Sequence, residues 1–274
     1  MRIVKTIDEL QVAKKILSGS IGFVATMGAL HQGHLALIQK AREENELVIV
    51  SIFVNPTQFL EGEDLDAYPR KEMADIKICR LAKVDILFMP HIDTMYSKDE
   101  LIILAPALGA YVLEGESRPG HFAGMLQIVM KLINLSEANN AYFGKKDAQQ
   151  LVLIKQMVQN YFMDVNIVSC EIVRNEQGLA LSSRNVYLNS KEKQRALALS
   201  SALKKASQLI ISGEIKVKYI QKEMLKILEE TSHIEYIAIV DRAFHPLEEV
   251  LLGNTIILVA AYVGKVRLID NIWI

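Results

Sequence analysis

The sequence predicts an α/β fold, a doubly wound, Rossmann-like parallel sheet followed by a smaller C-terminal α+β domain. Three observations predict it. Through the first 173 residues, apolar strand-like runs alternate with helix-periodic stretches. Those runs lack a clean inward–outward alternation, as expected for parallel strands with helices on both faces. Beyond them, two long helical stretches rich in Lys, Glu, Leu and Ala precede three strand runs, the order of an α+β layer. The boundary is placed near Val173, giving domains 1–173 and 174–274.

In order, the strand runs of the first domain cover 21–26, 47–54, 84–89, 140–144 and 165–173. The helix over 33–45 sets His34, Leu37, Ile38 and Ala41 on one face, and that over 71–83 sets Met73, Ile76 and Arg80 inward with Leu81 beside them. Stretches 121–136 and 147–161 are apolar enough to pack as helices against a sheet. Right-handed crossovers between the strands follow from strand twist. The second domain reads as helices over 190–212 and 214–230, then strands over 234–240, 255–263 and 266–272, the last two joined at Gly264-Lys265 by a tight turn. No internal repeat or low-complexity linker interrupts the chain.

A length of 274 residues fits about two domains. With 31 basic against 32 acidic residues the chain carries no electrostatic footprint for nucleic acid or an anionic membrane. Charges at Arg2, Lys5, Asp8 and Glu9 break any secretory apolar region, and runs such as 255–263 are too short for a membrane span. Cys79 and Cys170 lie far apart without a CxxC, which speaks against a disulfide framework or a Cys-rich zinc site and fits a reducing cytoplasm.

One stretch stands out: VATMGALHQGHLALIQK, residues 24–40, between the first strand and first helix of the sheet. Ligands of such sheets bind beyond the carboxyl ends of the strands, near a topological switch point. There the new helix offers free backbone N–H groups and its dipole, a natural place for phosphate. Gly28 and Gly33 allow close backbone approach, and His31 and His34 can offer imidazole N–H groups to an anion. A zinc site would need further ligands, and His91, His121, His233 and His245 show no ligand spacing. The plain alternative is a pair of helix-face or helix-capping histidines. Neither GxxxxGK[ST] nor GxGxxG occurs.

TMGALHQGH resembles the HxGH signature of the nucleotidyltransferase superfamily, which includes the class I aminoacyl-tRNA synthetases. SIFVNPTQF (51–59), DLDAYPR (64–70), RPGHFAGM (118–125), YFGKKDAQQL (142–151) and GLALSSRN (178–185) follow it in order. Together they resemble the pantoate–β-alanine ligase (pantothenate synthetase) family. The resemblance implies ATP-dependent condensation of (R)-pantoate with β-alanine to give pantothenate, AMP and pyrophosphate. The pantoate carboxylate would attack the α-phosphate of ATP, and the β-alanine amine would then attack the pantoyl-adenylate. It also implies Mg²⁺ bridging the phosphates with few protein ligands, a cytoplasmic homodimer, and no nucleic-acid or membrane partner. Domain 1–173 would bind ATP and pantoate, and domain 174–274 would cover the active site.

Residue by residue, Met27, Gly28, Ala29, Leu30, His31, Gln32, Gly33 and His34 match the family's ATP-binding element, with His34 in the catalytic position and His31 beside it. Gly144, Lys145, Lys146 and Asp147 match a second ATP-binding element. Lys146 would place a point charge on a phosphate, and Asp147 would bond the ribose or adenine side or cap a helix. The family usually has Glu where this chain has Lys145, a side chain expected to point away. Leu181, Ser182, Ser183 and Arg184 match a phosphate-binding loop comparable to the KMSKS loop of the synthetases, where hydroxyls and the guanidinium would grip the β- and γ-phosphates. Lys146 and Arg184 are thereby implied as catalytic alongside the histidines. Val173 matches a position whose backbone reads adenine, and Ala25 stands where proline is frequent. Gln58 and Gln150 match the pantoate-binding pair, with Gln58 also on the β-alanine side. A neutral amide orients a carboxylate without the charge pairing that would blunt its attack. Asp75 is the carboxylate candidate for Mg²⁺, its alternative an ordinary solvated helix residue, and Arg118 and His121 are expected to shape the pantoate pocket and a facing-subunit contact. Two other functions stay open at this point. Another HxGH nucleotidyltransferase would want Lys or Arg at positions 58 and 150 to hold a phosphorylated acceptor. A catalytically silent nucleotide-binding regulator would not need His34, Lys146 and Arg184 intact.

Overall fold

The computed structural model describes residues 1–63, 65–107 and 109–274. Asp64, the first residue of DLDAYPR, lies outside the described residues. The chain divides into two compact units, Met1–Glu171 and Ile172–Ile274.

The first unit is a six-stranded parallel sheet with helices between its strands. In chain order its elements are β1 (Arg2–Val4), α1 (Ile7–Lys15), β2 (Ile21–Thr26), α2 (Gln32–Glu44), β3 (Leu47–Ile52), α3 (Glu72–Leu81), β4 (Ile86–Phe88), α4 (Ile92–Met95), α5 (Glu114–Ser117), α6 (His121–Ser136), β5 (Asn140–Gly144), α7 (Ala148–Asn160) and β6 (Asn166–Cys170). The sheet order is β1-β4-β3-β2-β5-β6, every pair parallel. Four consecutive residues of β3, Val48 to Ser51, are buried, which a strand achieves only when both its faces are covered. From β2 the chain winds outward through β3 to β4, then returns to lay β5 on the other side of β2. The direction of winding therefore reverses between β2 and β5. Their carboxyl ends, Thr26 and Gly144, border the crevice where such sheets bind ligands.

β1, α1, the short helices α4 and α5 and the 3₁₀ segments have no counterpart among the sequence expectations. β1 is three residues long and pairs with β4 at the sheet edge. Helix α1 opens with a reciprocal capping box, in which the Thr6 hydroxyl accepts the Glu9 N–H and the Glu9 carboxylate accepts the Thr6 N–H. Strand β3 stops two residues early because Asn55-Pro56 turns the chain into a short 3₁₀ segment, Pro56–Gln58. Helix α3 corrects the expected face. Met73 is 80% exposed and Leu81 74%, while Asp75 and Cys79 are buried. The helix is rotated so that a carboxylate, rather than Met73, points inward, and the partners of that carboxylate lie in the site.

The second unit contains a short 3₁₀ segment (Ser183–Tyr187), α8 (Ser190–Ile211), α9 (Val217–Leu228), β7 (His233–Asp241), β8 (Thr255–Val263) and β9 (Val266–Trp273). Its three strands form an antiparallel sheet in the order β7-β8-β9. Val263 pairs with Val266 across the Gly264-Lys265 tip, and Gly264 takes the left-handed backbone (φ +61°) that the tight turn requires. Val217, Ile220, Met224 and Leu228 form the buried stripe of α9, sharing a core with Leu199, Leu203 and Val259. Among the described residues, no helix is long and apolar enough to cross a membrane.

Candidate active site at the β2–β5 switch point

The loop leaving β2 is folded back on itself by hydrogen bonds. The Thr26 hydroxyl donates to the Ser51 carbonyl at 2.8 Å and accepts the Gly28 N–H at 3.3 Å. Gly28 then takes φ +84°, and a side chain there would also press within 3.1 Å of both Asp75 Oδ2 and Ile52. Ala29 continues in the left-handed region at φ +51°, a conformation unfavourable for a residue with a Cβ. Its N–H donates to Asp75 Oδ2 at 2.9 Å and the next N–H, of Leu30, donates to Asp75 Oδ1 at 2.8 Å. Asp75 is 2% exposed. It is not an ordinary solvated helix residue, because each of its oxygens accepts a backbone amide in a buried setting.

His31 caps helix α2. Its Nδ1 accepts the Gly33 N–H at 3.1 Å, and His34 Nδ1 accepts the His31 N–H at 3.3 Å. A Cβ at position 33 would lie 2.8 Å from the His31 ring, which explains the glycine. The two rings are 4.1 Å apart between centroids. The capping and ligand-binding readings of these histidines are thus compatible, because capping uses only Nδ1. A backbone N–H can only donate, so each Nδ1 carries a lone pair and each neutral ring holds its proton on Nε2. Burial drives the His34 pKa down to about 3, with the neighbouring His31 and Lys146 adding to the fall and Asp147 opposing it. Burial also lowers that of His31, again with Lys146 against Asp147. Both are neutral N–H donors at physiological pH. The expectation of a cradle of free backbone N–H groups needs correction. The amides of Gly28, Ala29, Leu30, His31 and Gly33 are already bonded within the protein, and the capping box engages the His34 N–H with the His31 side chain. With Nδ1 of each ring taken by a backbone N–H, the N–H that each imidazole has left to offer is Nε2–H.

Across the switch point, Gly144 ends β5 and Lys145, Lys146 and Asp147 lead into α7. The Lys145 N–H donates to the Cys170 carbonyl at 2.8 Å, and its ammonium pairs with Glu171. Lys146 Nζ lies 3.8 Å from the Asp147 carboxylate, and both residues are close enough to bias the histidine pKa values. Asp147 occupies the N-cap position of α7, yet its side chain makes no capping bond and is largely exposed. Gln150 lies half-buried in the first turn of the same helix. Its neighbour Gln149 is the structural one, donating to the Gly109 and Val112 carbonyls.

Gln58 follows β3 and is buried with its amide oriented at both ends. Nε2 donates to Met27 Sδ at 2.9 Å and Oε1 accepts Asn55 Nδ2 at 3.2 Å. Asn55 is itself held by the Tyr96 hydroxyl at 2.7 Å and the Thr57 hydroxyl at 3.1 Å. The Gln58 carbonyl accepts His121 Nδ1–H at 2.7 Å, so His121 holds the opposite tautomer from the other pair and its Nε2 accepts from Arg118 at 3.2 Å. Arg118 forks onto both oxygens of Glu63, each at 2.6 Å. Arg118 and His121 thus brace the main chain of Gln58. Burial, followed by the Arg118 charge, lowers the His121 pKa to about 4. Asn55, Tyr96 and Glu63 escaped the sequence reading. The Asn-Pro turn hints at Asn55, but nothing local marks Tyr96, 41 residues away.

In the second unit, Leu181 donates its N–H to the Val173 carbonyl at 3.0 Å, closing a hairpin in which Arg174 bridges Ala180. The Val173 carbonyl is therefore used within the hairpin. Arg174 makes a two-pronged pair with buried Asp270 at 2.6 and 2.8 Å and also donates to the Gly178 carbonyl. Ser182 Oγ caps the following 3₁₀ segment by accepting the Arg184 N–H at 3.3 Å, and Ser183 and Arg184 form its first turn.

The structure brings His31, His34, Met27, Gln58, Asp75, Lys146 and Asp147 to the carboxyl edge of one sheet, while Val173 and Leu181 to Arg184 belong to the other unit. Among the described residues, no three His, Cys, Asp or Glu side chains converge to hold a metal ion. A family model described as pantoate-beta-alanine ligase matches residues 2–273. A pantothenate synthetase of Aliarcobacter butzleri is 57% identical over 274 residues, all of both chains, and one of Helicobacter pylori is 46% identical over 277 aligned positions, again all of both chains. The solved pantothenate synthetase of Thermus thermophilus superposes with a TM-score of 0.94 at 39% identity, covering 99% of each chain. A pantoate-beta-alanine ligase of Francisella tularensis, solved with β-γ ATP and β-alanine, matches with a TM-score of 0.82 at 40% identity over 99% of this chain and 97% of that one.

Proposed function

The chain belongs to the pantoate-beta-alanine ligase family, and from that premise we propose how its residues divide the work. It is an ATP-dependent ligase that joins pantoate to β-alanine. In the proposed course, a pantoate carboxylate oxygen attacks the α-phosphorus of ATP and the bond to the β-phosphate oxygen breaks. Pyrophosphate leaves with that electron pair. The β-alanine amine then attacks the acyl carbon, AMP departs with the original carboxylate oxygen, and the amine loses a proton.

The observation that carries this reading is the pair of neutral Nε2–H donors at the β2 end facing Lys146 at the β5 end. Charge builds on the equatorial oxygens of the α-phosphate during attack, so catalysis there is positioning and electrostatic stabilisation. His34 and His31 donate to those oxygens, and Lys146 supplies a fixed positive charge. Gln58 and Gln150 hold pantoate, Gln58 with its amide already oriented by Asn55 and Met27. Asp147, free of a capping role, is available to a ribose hydroxyl. Ser182, Ser183 and Arg184, with Leu181 before them, are the proposed phosphate ligands of the second unit, and the Val173 N–H its proposed contact to the base. Mg²⁺, arriving with ATP as part of the substrate, would supply further charge neutralisation. A cytoplasmic homodimer is proposed on the family resemblance, with sedimentation as its test.

Product analysis tests the chemistry. Pantoate labelled with ¹⁸O in its carboxylate should transfer one label to AMP, with pyrophosphate formed in equal amount. Formation of ADP and orthophosphate, or unlabelled AMP, would overturn the adenylate route.

A further inference from the structure

Asp75 has a role that neither metal binding nor substrate contact accounts for. Its carboxylate is 2% exposed on helix α3, and its two oxygens take consecutive backbone N–H groups from a loop 45 and 46 residues away. A buried carboxylate needs such partners, and the amino-terminal part of α3 adds its dipole. The loop needs the carboxylate as much. Ala29 sits at φ +51° with no glycine freedom, and at Gly28 before it, at φ +84°, a Cβ would come within 3.1 Å of Asp75 Oδ2. Two residues later the same backbone delivers the N–H of His31 to His34 Nδ1. The tautomers, and so the donors offered to the ligand, depend on where this chain segment is held.

We propose that Asp75 is a positioning residue: by clamping the N–H groups of Ala29 and Leu30 it holds the left-handed turn that aims the Nε2–H donors of His31 and His34. The inference rests on the function proposed above for those histidines. It commits Asp75 to a role that works without metal, which separates it from Mg²⁺ ligation. Asp75→Asn keeps size and burial but can accept only one of the two amides and turns an N–H donor toward the other.

Metal-free ATP binding, titrated in EDTA, is the deciding measurement because it needs neither turnover nor Mg²⁺. Asp75→Asn should weaken that binding and lower kcat by about tenfold or more, the usual effect of stranding a buried amide. The Mg²⁺ concentration giving half-maximal rate should stay within about twofold of wild type, since no ligand of the ion has been removed. Ala29→Gly in the Asp75→Asn background should recover a few-fold in ATP affinity, because glycine adopts positive φ without help. Unchanged metal-free binding with a raised Mg²⁺ requirement would make Asp75 a metal ligand, and failure of Ala29→Gly to recover affinity would remove the backbone route. Should Asp75→Asn not fold, amide exchange in the wild type decides. Ala29 and Leu30, outside any helix or strand, should be protected like core amides, and exchange at free-loop rates would overturn the clamp. If the adenylate route itself were wrong, the labelled-pantoate experiment would show it in the wild type, leaving these binding arms untouched.

Discussion

The loops that leave β2 and β5 start from neighbouring parallel strands, yet they carry different kinds of polar group. The β2 loop bonds five of its own amides within the protein and presents neutral imidazoles. It contains Gly28, Ala29 and Gly33 at positions where an added or displaced atom would clash or strain the chain. The β5 loop carries Lys145, Lys146 and Asp147, and a Cβ at Gly144 would meet nothing nearer than 4.0 Å. In the proposed reaction one loop acts through shape and the other through charge. A donor fixed by shape loses its function with a small displacement and is indifferent to salt, whereas an ammonium that is partly exposed, as Lys146 is, tolerates displacement and is partly screened.

The largest expected effect is at His34. His34→Ala removes the Nε2–H donor and should slow adenylate formation by roughly two orders of magnitude or more, measured as pyrophosphate release in single turnover. The lost capping contact should cost only about 1 kcal/mol of stability in a denaturant melt. His34→Gln, whose amide N–H can reach the place of Nε2–H, should recover part of the rate. Full activity in His34→Ala would reduce the loop to a helix cap and erase the contrast.

Next come the glutamines, the proposed holders of pantoate. Gln58→Ala or Gln150→Ala should each weaken pantoate binding by about 1.5–3 kcal/mol, the worth of a hydrogen bond to a charged group, with ATP binding near normal. Gln150→Glu should be worse than Gln150→Ala because it sets a second carboxylate beside the attacking one. Calorimetric titration of pantoate and ATP separately decides this, and equal losses for both ligands would refute the partition.

The third effect sharpens the charge side. Lys146→Met should raise the KM for Mg-ATP by about tenfold at low salt, and the gap to wild type should shrink above about 0.5 M salt as the charge is screened. The His34→Ala deficit should not change with salt. If both deficits responded alike, the two loops would not be working by different means.

How far this arrangement could be read from sequence follows the same division. Strands β2, β3 and β5 and helices α2, α6 and α7 are local apolar patterns, and they lie where periodicity puts them to within two residues or so. Helix α3 does not follow its pattern, because the group that orients it is Asp75 and the partners of Asp75 lie 45 and 46 residues away. Helix α1 was legible in principle through Thr6 and Glu9, a capping box whose signal is local. The HxGH stretch marks its own loop. That its amides are satisfied internally depends on Thr26, Asp75 and the two imidazoles together, and the setting of Gln58 depends on Tyr96 and His121, 41 residues from Asn55 and 63 from Gln58. Chemistry carried by one segment is readable. Chemistry carried by the distance between segments is not.

The smallest expected effect on rate is the dependence of activity on pH near 6.5, and it tests the shape side most directly. A histidine with an ordinary pKa would be half protonated near 6.5, and its ionisation would appear in the profile of kcat/KM. His34 is held neutral down to about 3 by burial and by the neighbouring His31, so free-enzyme kcat/KM for ATP should show no inflection from His34 between about pH 5 and 7.5. Stability should behave otherwise, and the sign is fixed by where the protons bind. Below about 6.5 the unfolded chain protonates His34 and His121 while the folded chain, with pKa values of about 3 and about 4, does not. The unfolded state then binds more protons, so stability falls as pH falls, by at most about 1.4 kcal/mol per pH unit for each histidine. A denaturant melt series from pH 7.5 to 4.5 should therefore decline where the kinetic profile is flat, and His121→Asn should shallow that decline without adding an inflection to the rate. A kinetic inflection near 6.5 that vanished in His34→Gln would mean that His34 titrates in the working enzyme. It would then act as a charged acid, and the β2 loop would work by charge as the β5 loop does.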